Sequence, residues 1–292
     1  MDSAELLQFA IAGLKSGSIY ALVALGFSLV YGSTGIINFA QGEFFMLGGM
    51  LSVFFHDAGL PLPVAGVSAI VVTGLVGLAF ERFLLRPRRD AGPLVLIIIT
   101  IGGSMVIKSL ARHAFGGNEL SLPMFSSGAS VMVAGAAVER QALWMWGLTA
   151  LAVVALTVVH ARTRFGRAMR ACSLSHDAAR LMGIDTAKVV MVSFGLAAAL
   201  GALGGFVVTP LTQTSFDVGA RIGLKGFAGA ILGGLGNPLG AVVGGLALGL
   251  LESLSIAFIS STYKDAISLI VLLAMLFIRP QGLLGRVSRE KV

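Results

Sequence analysis

GSIYALVALGFSLVYGSTGIINFAQGEFFMLGG, residues 17–49, contains two apolar runs separated by the break Gly32-Ser33-Thr34-Gly35. Asn38, Gln41 and Glu43 follow directly. Amide and carboxylate side chains this close to membrane-length apolar sequence are costly in lipid, so they are functional candidates by default. A local reading competes with that one. Asn38 and Gln41, three residues apart, resemble a capping box that simply starts the next helix. Glu43 lies deeper in the helix and is not explained that way.

The rest of the chain is of the same kind. Of its 292 residues, 56% are hydrophobic and 12% charged, where a soluble domain carries about 25% charged residues. With a mean hydropathy of +0.92, repeated long apolar runs predict an all-α, polytopic membrane bundle and not a barrel. The 39 glycines are about twice the usual share; they permit close helix packing and mark breaks. No basic region precedes the first apolar run, so a cleaved signal peptide is not expected. The single cysteine, Cys172, excludes an internal disulfide and a thiolate metal cluster.

We read eight to nine membrane segments, some broken at glycines: roughly 6–31, 36–55, 63–85, 94–114, 143–161, 188–210, 221–236, 239–260 and 264–279. The seventh falls short of the ~20 residues of a spanning helix, which leaves a partial or re-entrant pass open. One set of connections carries Arg86, Arg88, Arg89, Arg162, Arg164, Arg167, Arg170, Arg180, Arg279, Arg286, Arg289 and Lys291. The alternate set holds little beyond Arg140 and Lys264. The positive-inside rule then predicts an outside N-terminus and a cytoplasmic C-terminus. It also accounts for the net charge of +7 without nucleic acid. In the long connection 115–142, Val131–Val133 suits a short strand, and Trp144 and Trp146, which begin the fifth segment, suit an interfacial belt.

The connection RTRFGRAMRACSLSHDAARLMGIDTAK, residues 162–188, predicts a short helix capped by Ser175, with Asp177 in its first turn and Gly183 at its end. Ala178, Leu181 and Met182 share a face at helical spacing. That face can lie in the headgroups, or dock into a groove of a partner; it is small for a membrane anchor, which favours docking. A second glycine-rich module, residues 223–252, repeats small-xxx-small spacing around the break Gly236-Asn237-Pro238. Two helix–break–helix modules of one orientation hint at an internal repeat. Lys225 fits glycine packing poorly, and we expect it to pair with Glu43 or Glu252 across a helix interface. Lys15, Lys108, Glu81 and Arg82 also fall near membrane depth, and the last two suit snorkelling at an interface.

No P-loop, zinc-protease, serine-hydrolase or other metal-ligand spacing occurs. Catalytic residues, a metal and a cofactor in this chain are therefore not expected. A channel or ion-coupled secondary transporter remains open on these features alone.

Three blocks, YALVALGFSLVYGSTGIINFAQGEFFMLGG (20–49), RACSLSHDAARLMGI (170–184) and GLKGFAGAILGGLGNPLGAVVGG (223–245), resemble the LivH-type permease subunits of the branched-chain amino acid ABC importer family, as does the closing IRPQGLLG (278–285). The resemblance spans nearly the whole chain. It implies one transmembrane permease domain, 1–292, in a bacterial cytoplasmic (inner) membrane, with a coupling segment at about 162–188. Implied partners are a homologous LivM-type permease, two cytoplasmic ATPase subunits that use ATP, an extracytoplasmic substrate-binding protein and membrane lipid. The substrates implied are branched-chain amino acids, with other amino acids, urea or short amides as alternatives. Asn38, Gln41, Glu43 and Lys225 are the candidate path or gate; Arg170, Ser175, Asp177, Ala179, Leu181 and Gly183 are the candidate coupling residues.

Overall fold

Every apolar segment becomes a helix, and the helices stop at the turn formers. The computed structural model describes residues 3–258, 260–279 and 281–285; Pro280 and the basic tail residues Arg286, Arg289 and Lys291 lie outside the described residues. The helices are α1 (Ser3–Thr34), α2 (Gln41–Asp57), α3 (Leu62–Phe80), α4 (Pro93–Phe115), α5 (Arg140–Arg162), α6 (Arg164–Leu174), α7 (His176–Leu181), α8 (Thr186–Thr212), α9 (Val218–Gly233), α10 (Pro238–Phe258) and α11 (Lys264–Ile278). The strands β1 (Val131–Val133) and β2 (Ala136–Val138) form an antiparallel hairpin. The fold is the expected polytopic helical bundle. Seven helical stretches are long and apolar enough to cross a membrane, while α2 with 17 residues and α9 with 16 are shorter.

The two short helices do not begin where the preceding helices end. Gln41 fills the space beside Gly26 of α1 and bonds Ala197 of α8. Gly26 lies about 12 Å inside the end of α1, at 1.5 Å per residue. Residues 35–40 therefore re-enter the bundle as non-helical chain, and α2 completes the crossing. The second break mirrors the first. Thr214 exchanges two backbone hydrogen bonds of 2.8 Å with Leu120 at the hairpin end. The chain then dips inward, and α9 begins at Val218, where Gly219 and Gly223 lie against Gly42 at the start of α2. α2 and α9 thus start side by side and run to opposite ends.

This corrects the expected repeat. The glycine breaks at 32–35 and 234–237 do share an end, with Gly236 packed on Tyr31 and Gly32. The second, however, is only the turn joining α9 to α10. The counterpart of α1–break–α2 is α8–break–α9, in inverted orientation, as in repeat-built transporters. The short seventh segment is likewise a partial helix that finishes a crossing; it does not turn back.

Glycine makes the close approaches possible. A Cβ at Gly48 would overlap the backbone of Ala202, and one at Gly249 that of Gly17. α1 is the central helix, its apolar side chains from Ala21 to Leu25 almost fully buried. α3, α4 and α5 instead expose apolar stripes, among them Val67, Val71, Ile98, Met105 and Val154, the pattern of lipid-facing helices. α11 buries only Ser268 and Leu272. It is fastened at its ends, by an ion pair at Asp265 and by the strap that follows it. In that strap Leu283 N–H donates to Leu232 O (2.8 Å) and Leu284 N–H to Gly233 O (3.0 Å), supplying partners to the last carbonyls of α9.

Gly48→Val should cost about 1–3 kcal/mol by overpacking and lower the melting temperature of the detergent-solubilised chain. Gly102 has open space around it, so Gly102→Val should shift the same melt by less than about 1 kcal/mol.

Candidate functional site

Lys225 of α9 is the centre of a charged group. Its ammonium contacts Glu252 Oε1 of α10 at 2.5 Å and Asp265 Oδ1 of α11 at 2.7 Å. Tyr20 of α1 donates its hydroxyl to the other Glu252 oxygen at 2.7 Å, and its ring lies 5.5 Å from the ammonium. The charges of Lys225 and Glu252 are thus paired and hydrogen-bonded, as their burial requires, while Asp265 is exposed. Of the two partners expected for Lys225, Glu252 is the one found, and Glu43 is not.

This group walls a cavity of about 500 Å³ between α1, α2 and α8–α11. Arg221 and Lys264 add positive charge; Ile19, Phe45, Ile222 and Ile256 supply apolar wall. A small molecule carrying both charges and an apolar side chain matches such walls. Sequence reasoning missed Tyr20, Asp265 and Arg221, since only the fold gathers four helices onto Lys225. Tyr20, one of several hydroxyls in its run, carried no distinguishing signal.

Asn38, Gln41 and Glu43 are all buried, but they do not form a capping box. α2 has no side-chain cap. Asn38 Oδ1 instead accepts from Ala40 N–H (3.1 Å), and Gln41 Nε2 donates to Ala197 O (2.9 Å). The reason is spatial: Gln41 faces α1 and α8, so its amide is drawn across the interface. Among the described residues, Asn38 Nδ2, Gln41 Oε1 and Glu43 Oε2 have no hydrogen-bond partner, at about 1–3 kcal/mol for each unsatisfied group. Glu43 lies in the first turn of α2 against Gly219 of α9. Asp217 precedes α9. Two carboxylates at two helix starts offset both helix dipoles.

At the arginine-rich end, α7 is the expected short helix, and α6 is an additional one before it. Ser175 Oγ caps α7 by accepting from Ala178 N–H at 3.2 Å, and Gly183 takes the left-handed φ of 79° that ends it. Asp177 pairs with Arg180 at 3.7 Å. Arg170 bonds the His160 carbonyl at the end of α5. Leu181 and Met182 are 88% and 82% exposed, and Leu174 at the end of α6 is 88% exposed. Ala179 differs from the rest: it is 2% exposed and packs inward on the bundle. A docking face on α7 can therefore contain Leu181 but not Ala179. At the start of α8, Asp185 caps the helix, and the Lys188 backbone N–H and ammonium hold its carboxyl below the usual carboxylate range.

Residues 9–278 match the family model described as branched-chain amino acid transport system, permease component. The chain is 36% identical to the high-affinity branched-chain amino acid transport system permease protein LivH of Escherichia coli K12, over 98% of this chain and 97% of that one. It is 32% identical to the permease protein BraD of Pseudomonas aeruginosa, over 98% of each. A more distant relative is the ribose import permease protein RbsC of Escherichia coli, at 26% identity over 89% of this chain and 82% of that one. With a glycine-packed bundle of broken helices and similarity along nearly its full length, the chain belongs to the permease family of the branched-chain amino acid transport systems.

Proposed function

We propose that the chain is the membrane-spanning subunit of an ATP-driven importer of branched-chain amino acids, and that the Lys225 cavity is part of the translocation path. The cavity carries the substrate reading. A branched-chain amino acid presents an ammonium, a carboxylate and an aliphatic side chain. Glu252 and Asp265 suit the first, Lys225 and Arg221 the second, and Ile19, Ile222 and Ile256 the third. A zwitterion entering here exchanges its charges with the Lys225 ion pairs, which lowers the barrier without tight binding.

The arginine-rich end, with α6 and α7, is the cytoplasmic side by the positive-inside rule, and the hairpin end faces outward. The chain lies in the bacterial cytoplasmic membrane with its N-terminus outside and its C-terminus inside. Two cytoplasmic ATPase subunits consume ATP, a LivM-type permease completes the membrane pair, and an extracytoplasmic binding protein delivers substrate. Leu174, Leu181 and Met182 enter an ATPase groove, with Ser175, Asp177, Arg180 and Gly183 shaping the knob. When the ATPases close, movement of this knob shifts the glycine-packed helices. The unpartnered atoms of Asn38, Gln41 and Glu43 gain partners in the alternate state, which makes the α2–α9 crossing the gate.

Leu181→Asp with Met182→Asp should abolish ATPase co-purification and leave the melting temperature of the permease unchanged; retained association refutes the knob. Ala179→Asp should instead lower the folded yield, because the new carboxylate would be buried. For the path, Lys225→Met alone leaves Glu252 uncompensated, at a cost approaching about 3–5 kcal/mol. Adding Glu252→Met should recover most of the melting temperature but not ATP-dependent leucine uptake in proteoliposomes holding all the subunits. Uptake by the double variant at wild-type rate refutes the path assignment. Ion-gradient-driven uptake by the chain alone refutes the importer reading.

A further inference from the structure

A second cavity, of about 300 Å³, lies at the arginine-rich end, far along the bundle from Lys225. It is walled by the end of α1, the α3–α4 connection, α7 and the start of α8. That size is the lower limit of ordinary small-ligand pockets. Its wall contains Glu81, which is 3% exposed and whose Oε2 has no hydrogen-bond partner. Glu81 opens a π-helical turn, Glu81–Leu85, inserted between α3 and the connection; such turns cost helical regularity and recur at functional sites. Arg86, Arg89 and Arg180 stand on the same wall. Arg180 is held by Thr186 at 3.1 Å and by Asp177 at 3.7 Å, so its guanidinium retains donors for another partner. The wall thus holds three carboxylates, Glu81, Asp90 and Asp177, and three guanidinium groups. Of the latter, Arg89 and Arg180 already contact Asp90 at 4.0 Å and Asp177 at 3.7 Å. The open Glu81 oxygen and the remaining guanidinium donors are what a ligand carrying both charges would meet.

We propose that this cavity binds a small group in which a primary ammonium and an anionic oxygen group lie a few bonds apart, the ammonium on Glu81 and the anion on Arg86, Arg89 and Arg180. Two sources carry that chemistry: a free amino acid, and the headgroup of an ethanolamine phospholipid. A ligand here bridges α7 to the bundle, so occupancy sets how freely the docking helix moves. If the source is the free amino acid, accumulated product restrains its own importer. The cytoplasmic origin of the ligand rests on the sidedness proposed above; occupancy of the cavity does not.

The test uses the purified permease–ATPase complex without binding protein, in phosphatidylcholine–phosphatidylglycerol nanodiscs, and reads the melting temperature and basal ATP hydrolysis. One arm adds leucine; the other replaces part of the lipid with phosphatidylethanolamine. One of the two should raise the melting temperature, and which one does identifies the source. Glu81→Gln should increase the concentration or lipid fraction required by about tenfold or more, through loss of a buried charge contact. Arg180→Gln, read on complex that retains its ATPase subunits, should act in the same direction. The double variant Lys225→Met, Glu252→Met should keep the shift relative to its own baseline. No shift with either ligand, or an unchanged shift in both Glu81→Gln and Arg180→Gln, overturns the proposal, as does loss of the shift in the Lys225, Glu252 double variant. The same melt on the chain by itself separates the two readings: a Glu81-dependent shift without ATPase association keeps this site and discards the importer.

Discussion

Backbone inside a membrane must find its hydrogen bonds within the protein, and the whole arrangement depends on meeting that demand at two non-helical breaks. In the first, Phe39 N–H donates to Thr100 Oγ1 (3.2 Å), Ala40 N–H to Asn38 Oδ1 and Ile36 N–H to Thr34 Oγ1 (3.2 Å). In the second, the Leu120 backbone supplies both partners of Thr214. Short polar side chains in the first break, and a neighbouring backbone in the second, substitute for water. Without them the chain at 35–40 and 213–217 would have to continue as helix, and α2 and α9 would start at the ends of the bundle. Their meeting in its interior is therefore a product of Thr34, Asn38, Thr100 and Leu120 as much as of the helices themselves.

Glycine sets how tightly the remaining helices close on that meeting point. Gly42 accepts α9, Gly48 and Gly205 seat α2 on α8, and Gly17 with Gly249 seats α1 on α10. Packing of this kind gains dispersion energy without the hydrophobic effect, which has little to offer between helices in lipid. Lys225, Glu252 and Glu81 lie where this packing opens, whereas Glu43 sits inside it against Gly219. Lys225, Glu252 and Tyr20 occupy a gap between α1, α9 and α10, and Glu81 one beneath α3.

Much of the fold was legible because membrane helices announce themselves by apolar length, and nine segments resolved as nine helices. The strand at Val131–Val133 and the cap at Ser175 were also readable, since strand and cap chemistry is local; the partner strand Ala136–Val138 was not. What stayed hidden depended on position in space. Asn38 and Gln41 had the spacing of a capping box, yet the re-entry of residues 35–40 turned Gln41 toward α8. Ala179 had the composition of an exposed face, and the angle of α7 buried it. Lys225 was recognisable as a charge needing a partner. Asp265 sat at the mouth of a predicted segment and drew no attention, because sequence does not reveal which helix start lies over which cavity. The inverted α8–α9 unit escaped notice because its break is marked by Gln213, Thr214 and Ser215 and not by glycines.

The attachment of α11 has a mechanical consequence. A rod pinned at both tips and held between them by one narrow stripe, Ser268 and Leu272, transmits a push along its axis but yields more readily to a push at its side. Both pins, the Asp265 ion pair and the Leu283–Leu284 strap, belong to α9. Any axial slide of α9 therefore carries α11 along as a parallel link, while the lipid-facing flank of α11 can give way without disturbing the core.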